Sequence, residues 1–173
     1  GMGQGKLKET LGIDDETAEV LISDYNDKVP FVKKLSKRAM ESMERKGYVT
    51  TVYGRRCRFF GYVPIKWGES GFYKTEEEAK AILKEGNYKK AYTYKALNKL
   101  IQGSAADQTK KAMVDLYEQD GIIPHIQVHD ELNISVENKE EALKIKHKME
   151  NCVELNLPSV VDHALADNWG DAK

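Results

Sequence analysis

Apolar and polar residues alternate most clearly over residues 125–136. Ile126, Val128, Leu132, Ile134 and Val136 fall on every second position, with Gln127, Asn133 and Ser135 between them. The pattern predicts two strands with one buried face. Matching their apolar positions sets Val128 opposite Leu132 and Ile126 opposite Ile134, which leaves His129-Asp130-Glu131 as the connection.

Elsewhere the period is helical. Asp14 suits an N-cap ahead of Ala18, Leu21, Ile22 and Tyr25. Pro30 opens a second helix with Phe31, Leu35, Ala39 and Met43 on one side and Gly47 as its stop. From Tyr48 the composition turns to β-branched and aromatic residues through Tyr53, and Gly54 offers a turn before Arg55-Arg56-Cys57-Arg58. Residues 61–74, with Gly61, Pro64, Gly68 and Gly71 among aromatics, read as an ordered loop or insertion. Thr75-x-x-Glu78 is a capping box for a short helix carrying Ala79, Ile82 and Leu83 and ending near Gly86.

The longest helix is predicted from about Lys89 or Tyr92 to Gln119, with Ala91, Tyr94, Ile101, Ala105, Ala112 and Leu116 as a buried band. A further helix over residues 140–155, capped by Asn138, buries Ala142, Leu143, Ile145, Met149 and Val153. After Pro158, residues 159–165 read as a last strand. The expected class is α+β, with an antiparallel sheet made of the central hairpin and this strand, packed by the long helices.

Charge narrows the function classes. Lys plus Arg number 27 against 28 Asp plus Glu, a net charge of -1, so any contact with nucleic acid must come from local basic clusters. Cys57 and Cys152 match no metal spacing and read as free thiols of a reducing compartment. No run approaches the roughly 20 apolar residues of a membrane span, and the expected location is the cytoplasm. Gly1-Met2-Gly3-Gln4-Gly5 lacks the strand and spacing of a phosphate loop. Asp162-His163 has no nucleophile at a recognisable motif, which argues against a hydrolytic triad.

Three sets of residues carry candidate chemistry. Asp130 and Glu131 are adjacent carboxylates at a hairpin tip; such a turn either is a plain solvated loop or holds Mg²⁺. Arg55, Arg56 and Arg58 either protect an edge strand or clamp phosphate through their guanidinium forks. Asn98 and Gln102 stand at i, i+4 on the long helix beside Gly103, which costs a helix about 1 kcal/mol relative to alanine; the stretch either is a helix packed on a sheet with incidental surface amides or lets another backbone or a ligand approach closely.

Four segments together resemble the family A DNA polymerases, the group of bacterial DNA polymerase I and related phage enzymes. Gly47-Tyr48-Val49-Thr50-Thr51-Val52-Tyr53-Gly54-Arg55-Arg56 resembles the family's GYVxTxxGRR segment. Ala96 through Asp107 resembles its NxxxQGxAAD helix, and Gln127-Val128-His129-Asp130-Glu131 its third palm motif, VHDE. The C-terminal part, from Met149 to Trp169, resembles the family's last helix, strand and tryptophan.

The resemblance implies template-directed transfer of a nucleotide from dNTP to a primer 3′-OH, assisted by two Mg²⁺ ions. By it Asp130 is a catalytic metal ligand and Glu131 supports the metal or the primer terminus. His129, Asn98 and Gln102 map onto residues that touch the minor groove, and Arg55 and Arg56 onto phosphate contacts. It implies partial fingers helices at 1–47 and a palm portion at 48–173, with a poorly assigned insertion at about 61–90.

Two family motifs are absent from these 173 residues: the DYSxIELR strand with the other metal-binding aspartate, and the RxxxKxxxFGxxYG helix that holds dNTP phosphates. Tyr94 also stands where many members carry arginine. The expectation is therefore a C-terminal polymerase portion that is inactive alone and needs an N-terminal portion to complete the two-metal site. Self-association through its open surface is also expected. The alternative is a noncatalytic module that binds primer-template DNA or serves assembly.

Overall fold

The structure, a computed structural model, describes residues 3–66 and 68–172. Two compact units divide within one long helix, the first covering residues 1–101 and the second 102–173.

The first unit opens with α1 (Gln4–Leu11), ended by Gly12 in the left-handed region, and α2 (Asp15–Lys28). Asp14 caps α2 as expected, accepting from the Thr17 backbone N–H at 2.7 Å, and this bond holds its carboxyl below the usual range. α3 (Pro30–Lys46) starts on Pro30 and ends at Gly47 with φ 78. Ala18 is the buried residue of α2, while Leu21 and Tyr25 of its expected apolar face are exposed, as are Phe31 and Leu35 on α3.

β1 (Tyr48–Thr50) pairs antiparallel with β2 (Arg56–Arg58), Val49 opposite Cys57. Alternation places those two inward and the arginines outward. Val49 and Cys57 join Ala39, Met43 and Ala96 in one buried cluster, flanked by Met40, Phe59, Leu97 and Leu100.

Residues 61–90, expected as a loop and a short helix, form a β-α-β unit. β3 (Tyr62–Pro64) pairs with β4 (Tyr88–Lys90), and α4 (Glu76–Leu83) lies between them in sequence. The Thr75 cap is present, accepting from Glu78 N at 3.2 Å. A polar centre holds the unit together: Tyr88 Oη donates to Glu76 Oε1 at 3.0 Å, Tyr62 Oη donates to Glu76 Oε2 at 3.4 Å, and Lys80 Nζ lies 3.3 Å from Glu76 Oε1. The Tyr88 hydrogen bond, then Lys80, keeps the Glu76 carboxyl below its usual range. Burial first, then Glu76, pushes both tyrosines up.

The long helix α5 spans Ala96–Asp120, after a 3-10 turn at Thr93–Lys95. It cannot begin at Lys89 or Tyr92, because residues 88–90 belong to β4 and Tyr92 has φ 59, outside the helical region. Of its expected buried band, Ala91, Ala112 and Leu116 are buried, whereas Tyr94, Ile101 and Ala105 face solvent.

In the second unit, β5 (Ile126–Val128) pairs with β6 (Glu131–Asn133), and α6 covers Lys139–Asn151. Asn138 caps α6, accepting from Glu141 N at 3.0 Å, while Glu137 N donates back to Glu141 Oε2 at 2.7 Å. The helix stops short of residue 155 because Asn151 Nδ2 donates to the His147 carbonyl at 2.8 Å and Cys152 Sγ to that of Met149, closing the last turn.

The α+β class holds, but the expected sheet does not. Among the described residues, strands occur as three separate two-stranded sheets, and residues 159–165 form no strand. A strand exists through its ladder, and here the Val161 N–H is taken by the Glu150 carboxylate at 3.0 Å. The side chain of Gln108 holds Ser159 at 2.8 Å in the same stretch. Both cysteines are free thiols, and no helix among the described residues is long and apolar enough to cross a membrane.

Candidate functional site

The hairpin tip differs from its expected form in a way that bears on chemistry. Val128 stands opposite Glu131, Gln127 opposite Leu132 and Ile126 opposite Asn133, so the connection is the pair His129-Asp130. His129 has φ 54, the left-handed value that a two-residue hairpin demands at its first turn position and that histidine tolerates better than most residues. The expected register assumed that burial of an apolar face sets the pairing. Ile126 and Val128 are 41% and 38% exposed, so burial has little hold here and the turn decides.

The two carboxylates therefore take different places. Asp130 projects from the exposed turn itself. Glu131 is the first residue of β6, and its Oε1 accepts from Asn133 Nδ2 at 2.9 Å and from Trp169 Nε1 at 3.4 Å. The turn is braced from within, since Gln127 Nε2 donates to the His129 carbonyl at 2.9 Å and His125 N to that of Asn133 at 2.9 Å. His129 is also exposed.

Hard carboxylate oxygens on an open turn are the donors Mg²⁺ takes, and this ion needs one or two carboxylates with water and phosphate filling its other positions. Asp130 fits that role; Glu131, engaged with Trp169 and Asn133, fits a supporting one. No group of three or more His, Cys, Asp or Glu arranged to hold a metal occurs among the described residues.

The other candidates lie on two further elements. Arg55 and Arg56 are exposed on the turn and outer face of the β1–β2 hairpin. Thr51 holds that turn, its N–H donating to the Arg55 carbonyl at 2.8 Å and its hydroxyl accepting from Arg55 N at 3.1 Å. The Arg56 guanidinium lies 5.0 Å from the centre of the Tyr48 ring. Asn98 and Gln102 are both exposed on α5, one turn apart. Next to Asn98, Lys99 Nζ donates to the Arg58 carbonyl at 3.1 Å and stands over the Phe59 ring at 4.6 Å, which fixes this turn of α5 on the arginine hairpin.

Nothing in the sequence pattern pairs Trp169 with Glu131; the resemblance of the C-terminal segment is the one signal that marks this tryptophan. An open groove of about 660 Å³ between α5 and α6, lined by Asp115, Leu143, His147 and Cys152 among others, includes none of the candidate residues. Burial first, then Asp115, pushes the Cys152 thiol up, which suits an inert thiol.

Comparison with known proteins gives one answer throughout. A DNA-directed DNA polymerase of Pseudomonas phage M6 is 42% identical over 152 residues, covering 88% of this chain and 19% of its own length. The thermostable DNA polymerase I of Thermus aquaticus is 32% identical over 179 aligned positions, spanning the whole chain and 19% of that enzyme. Among solved structures, the POL domain of Pol1 from M. smegmatis, in complex with DNA primer-template and dNTP, matches with a TM-score of 0.71 at 27% identity. It covers 99% of this chain and 28% of that one. The chain thus spans about a fifth of the length of these curated relatives. Since the model of DNA polymerase family A also matches residues 1–171, the chain belongs to that family.

Proposed function

We propose that this chain supplies the Asp130 side of a two-metal site for template-directed addition of dNTP to a primer 3′-OH, together with part of the surface that holds the primer terminus. The observation that carries the reading is the presentation of Asp130 at the apex of an exposed, braced two-residue turn inside a chain that matches the family over residues 1–171. On this reading residues 1–47 belong to the fingers and residues 48–173 to the palm.

The roles follow from position and chemistry. Asp130 holds Mg²⁺, and Glu131, steadied by Trp169, supports that site or the primer end. When bound, the metal pair neutralises charge on the attacking and leaving oxygens. His129, Asn98 and Gln102 offer hydrogen bonds to the minor-groove acceptors that every correct base pair presents, a test of geometry independent of sequence. Arg55 and Arg56 pair with backbone phosphates.

A second acid and the dNTP-phosphate contacts must come from residues other than these 173, whether in the same polypeptide or another. Exposed apolar side chains on each unit, among them Phe60, Leu157 and Val160, suit a surface that the remainder of a polymerase covers and that self-associates without it.

The test is primer extension by the chain alone and with a polypeptide bearing the DYSxIELR strand and the RxxxKxxxFGxxYG helix. Synthesis is expected only from the mixture and is expected to vanish with Asp130→Ala. Robust incorporation by the chain alone would refute the dependence. If the mixture makes no DNA while Arg55→Ala still weakens primer-template binding, the chain is a noncatalytic DNA-binding module instead.

A further inference from the structure

The polymerase reading leaves residues 61–95 without a task, yet Phe72, Tyr92 and Tyr94 among them cluster at the surface. Gly61 has φ 88, and a Cβ there would meet the Phe72 ring at 2.2 Å, so the ring rests on bare backbone. The centre of Phe72 is 6.0 Å from that of Tyr92, with 33° between planes, and Tyr92 is 6.5 Å from Tyr94. Lys95 Nζ stands 4.8 Å from the Tyr92 ring centre and 5.7 Å from that of Tyr94. Although they touch one another, the three rings are 50%, 45% and 68% exposed in chain order.

Local charge tells what such a patch suits. Residues 89–106 contain Lys89, Lys90, Lys95 and Lys99 and no acidic residue, and the whole stretch 61–99 holds eight lysines against five glutamates, in a chain whose net charge is -1. An apolar protein partner would use the rings but not the lysines, and free phosphate the lysines but not the rings. A single-stranded nucleic acid uses both, its bases stacking on aromatic faces while its backbone meets the cations. Tyr94 stands four residues before Asn98, so the patch is continuous along the chain with the surface assigned to the primer-template duplex.

We propose that Phe72, Tyr92 and Tyr94 form a stacking platform for an unpaired base of single-stranded DNA, with Lys95 meeting the flanking phosphate. The inference deepens the polymerase reading by giving the chain a site for template beyond the duplex. Because every base has a stacking face, the platform is tolerant of sequence.

The experiment titrates the 173-residue chain into a short oligodeoxythymidine containing one 2-aminopurine, and in parallel into a blunt duplex. The single strand is expected to bind with a change in 2-aminopurine emission. Tyr94→Leu is expected to weaken that binding at least about 5-fold, the loss of one stacked base. Phe72→Leu should act in the same direction, and Lys95→Gln should lower the salt dependence by about one phosphate contact. Thermal melts check that each variant folds. No emission change with the wild-type chain, or single-strand affinity unmoved by both Tyr94→Leu and Phe72→Leu, overturns the platform. Single-strand binding that depends on Tyr94 in a chain that ignores the duplex supports the platform and counts against the polymerase reading, so the two fail separately.

Discussion

The β1–β2 and β5–β6 hairpins have strands of the same length and pairing but opposite surroundings. In the first, Val49 and Cys57 are 3% and 6% exposed and rest on Met43 and Ala96, so alternation alone sends the arginines to solvent. In the second, Ile126, Gln127 and Val128 are all exposed, and the register obeys His129 rather than the apolar pattern. A buried hairpin takes its register from its faces, an open one from its turn. The arginine surface is thereby fixed by a core, and the Asp130 tip by local backbone geometry.

The largest effect is expected where the contrast is steepest. Met43→Ala, at a fully buried side chain beneath β1, should cost about 2 to 5 kcal/mol in urea unfolding; a cost near zero would show that the cluster under the arginines is not packed. Gly61→Ala should follow, because its φ of 88 and the Phe72 ring both oppose a methyl group; a loss of more than about 1 kcal/mol is expected. Val128→Ala on the open hairpin should change stability by less than about 1 kcal/mol.

His129→Gly should be smaller still, since glycine relieves the left-handed residue while adding freedom to the unfolded chain. Cross-strand NMR contacts between Ile126 and Asn133 should survive both hairpin changes. Contacts between Ile126 and Ile134 in their place would mean that apolar matching sets the register after all.

The smallest effect is one of pH. Glu76 titrates below its usual value of 4.5 in the fold, so the unfolded chain takes up its proton first as pH falls. Its contribution is whole above that value and lost as pH drops through the folded pKa. Tyr62 and Tyr88 are raised from 10.0, so their contribution is whole below that value and lost as pH climbs through their folded pKa values. Glu76→Gln should flatten the acid limb of a stability-against-pH curve; an unchanged limb would remove Glu76 as its source.

What could be read from the chain was mostly short in range. Asp14, Thr75, Asn138 and Gly47 act where expected, because a cap or stop is settled within a few residues. The β3–α4–β4 unit was hidden because its strands are three residues long and are joined through Glu76, between them in sequence. The strand expected at residues 159–165 failed for the opposite reason: its β-rich composition is real, but a ladder needs a partner that composition does not name. For the site, the residue types alone left plain surface readings open; the family resemblance singled out Asp130, Asn98, Gln102 and the arginines, and all are on the surface. The different stations of Asp130 and Glu131 became visible only through the register.

The Trp169 contact with Glu131 has an optical consequence. The chain holds two tryptophans, so replacing Trp67 with phenylalanine leaves a single indole whose Nε1 lies 3.4 Å from the carboxylate next to Asp130. Its emission becomes a gauge of events at the hairpin tip, readable during a Mg²⁺ titration or DNA docking without attaching a dye.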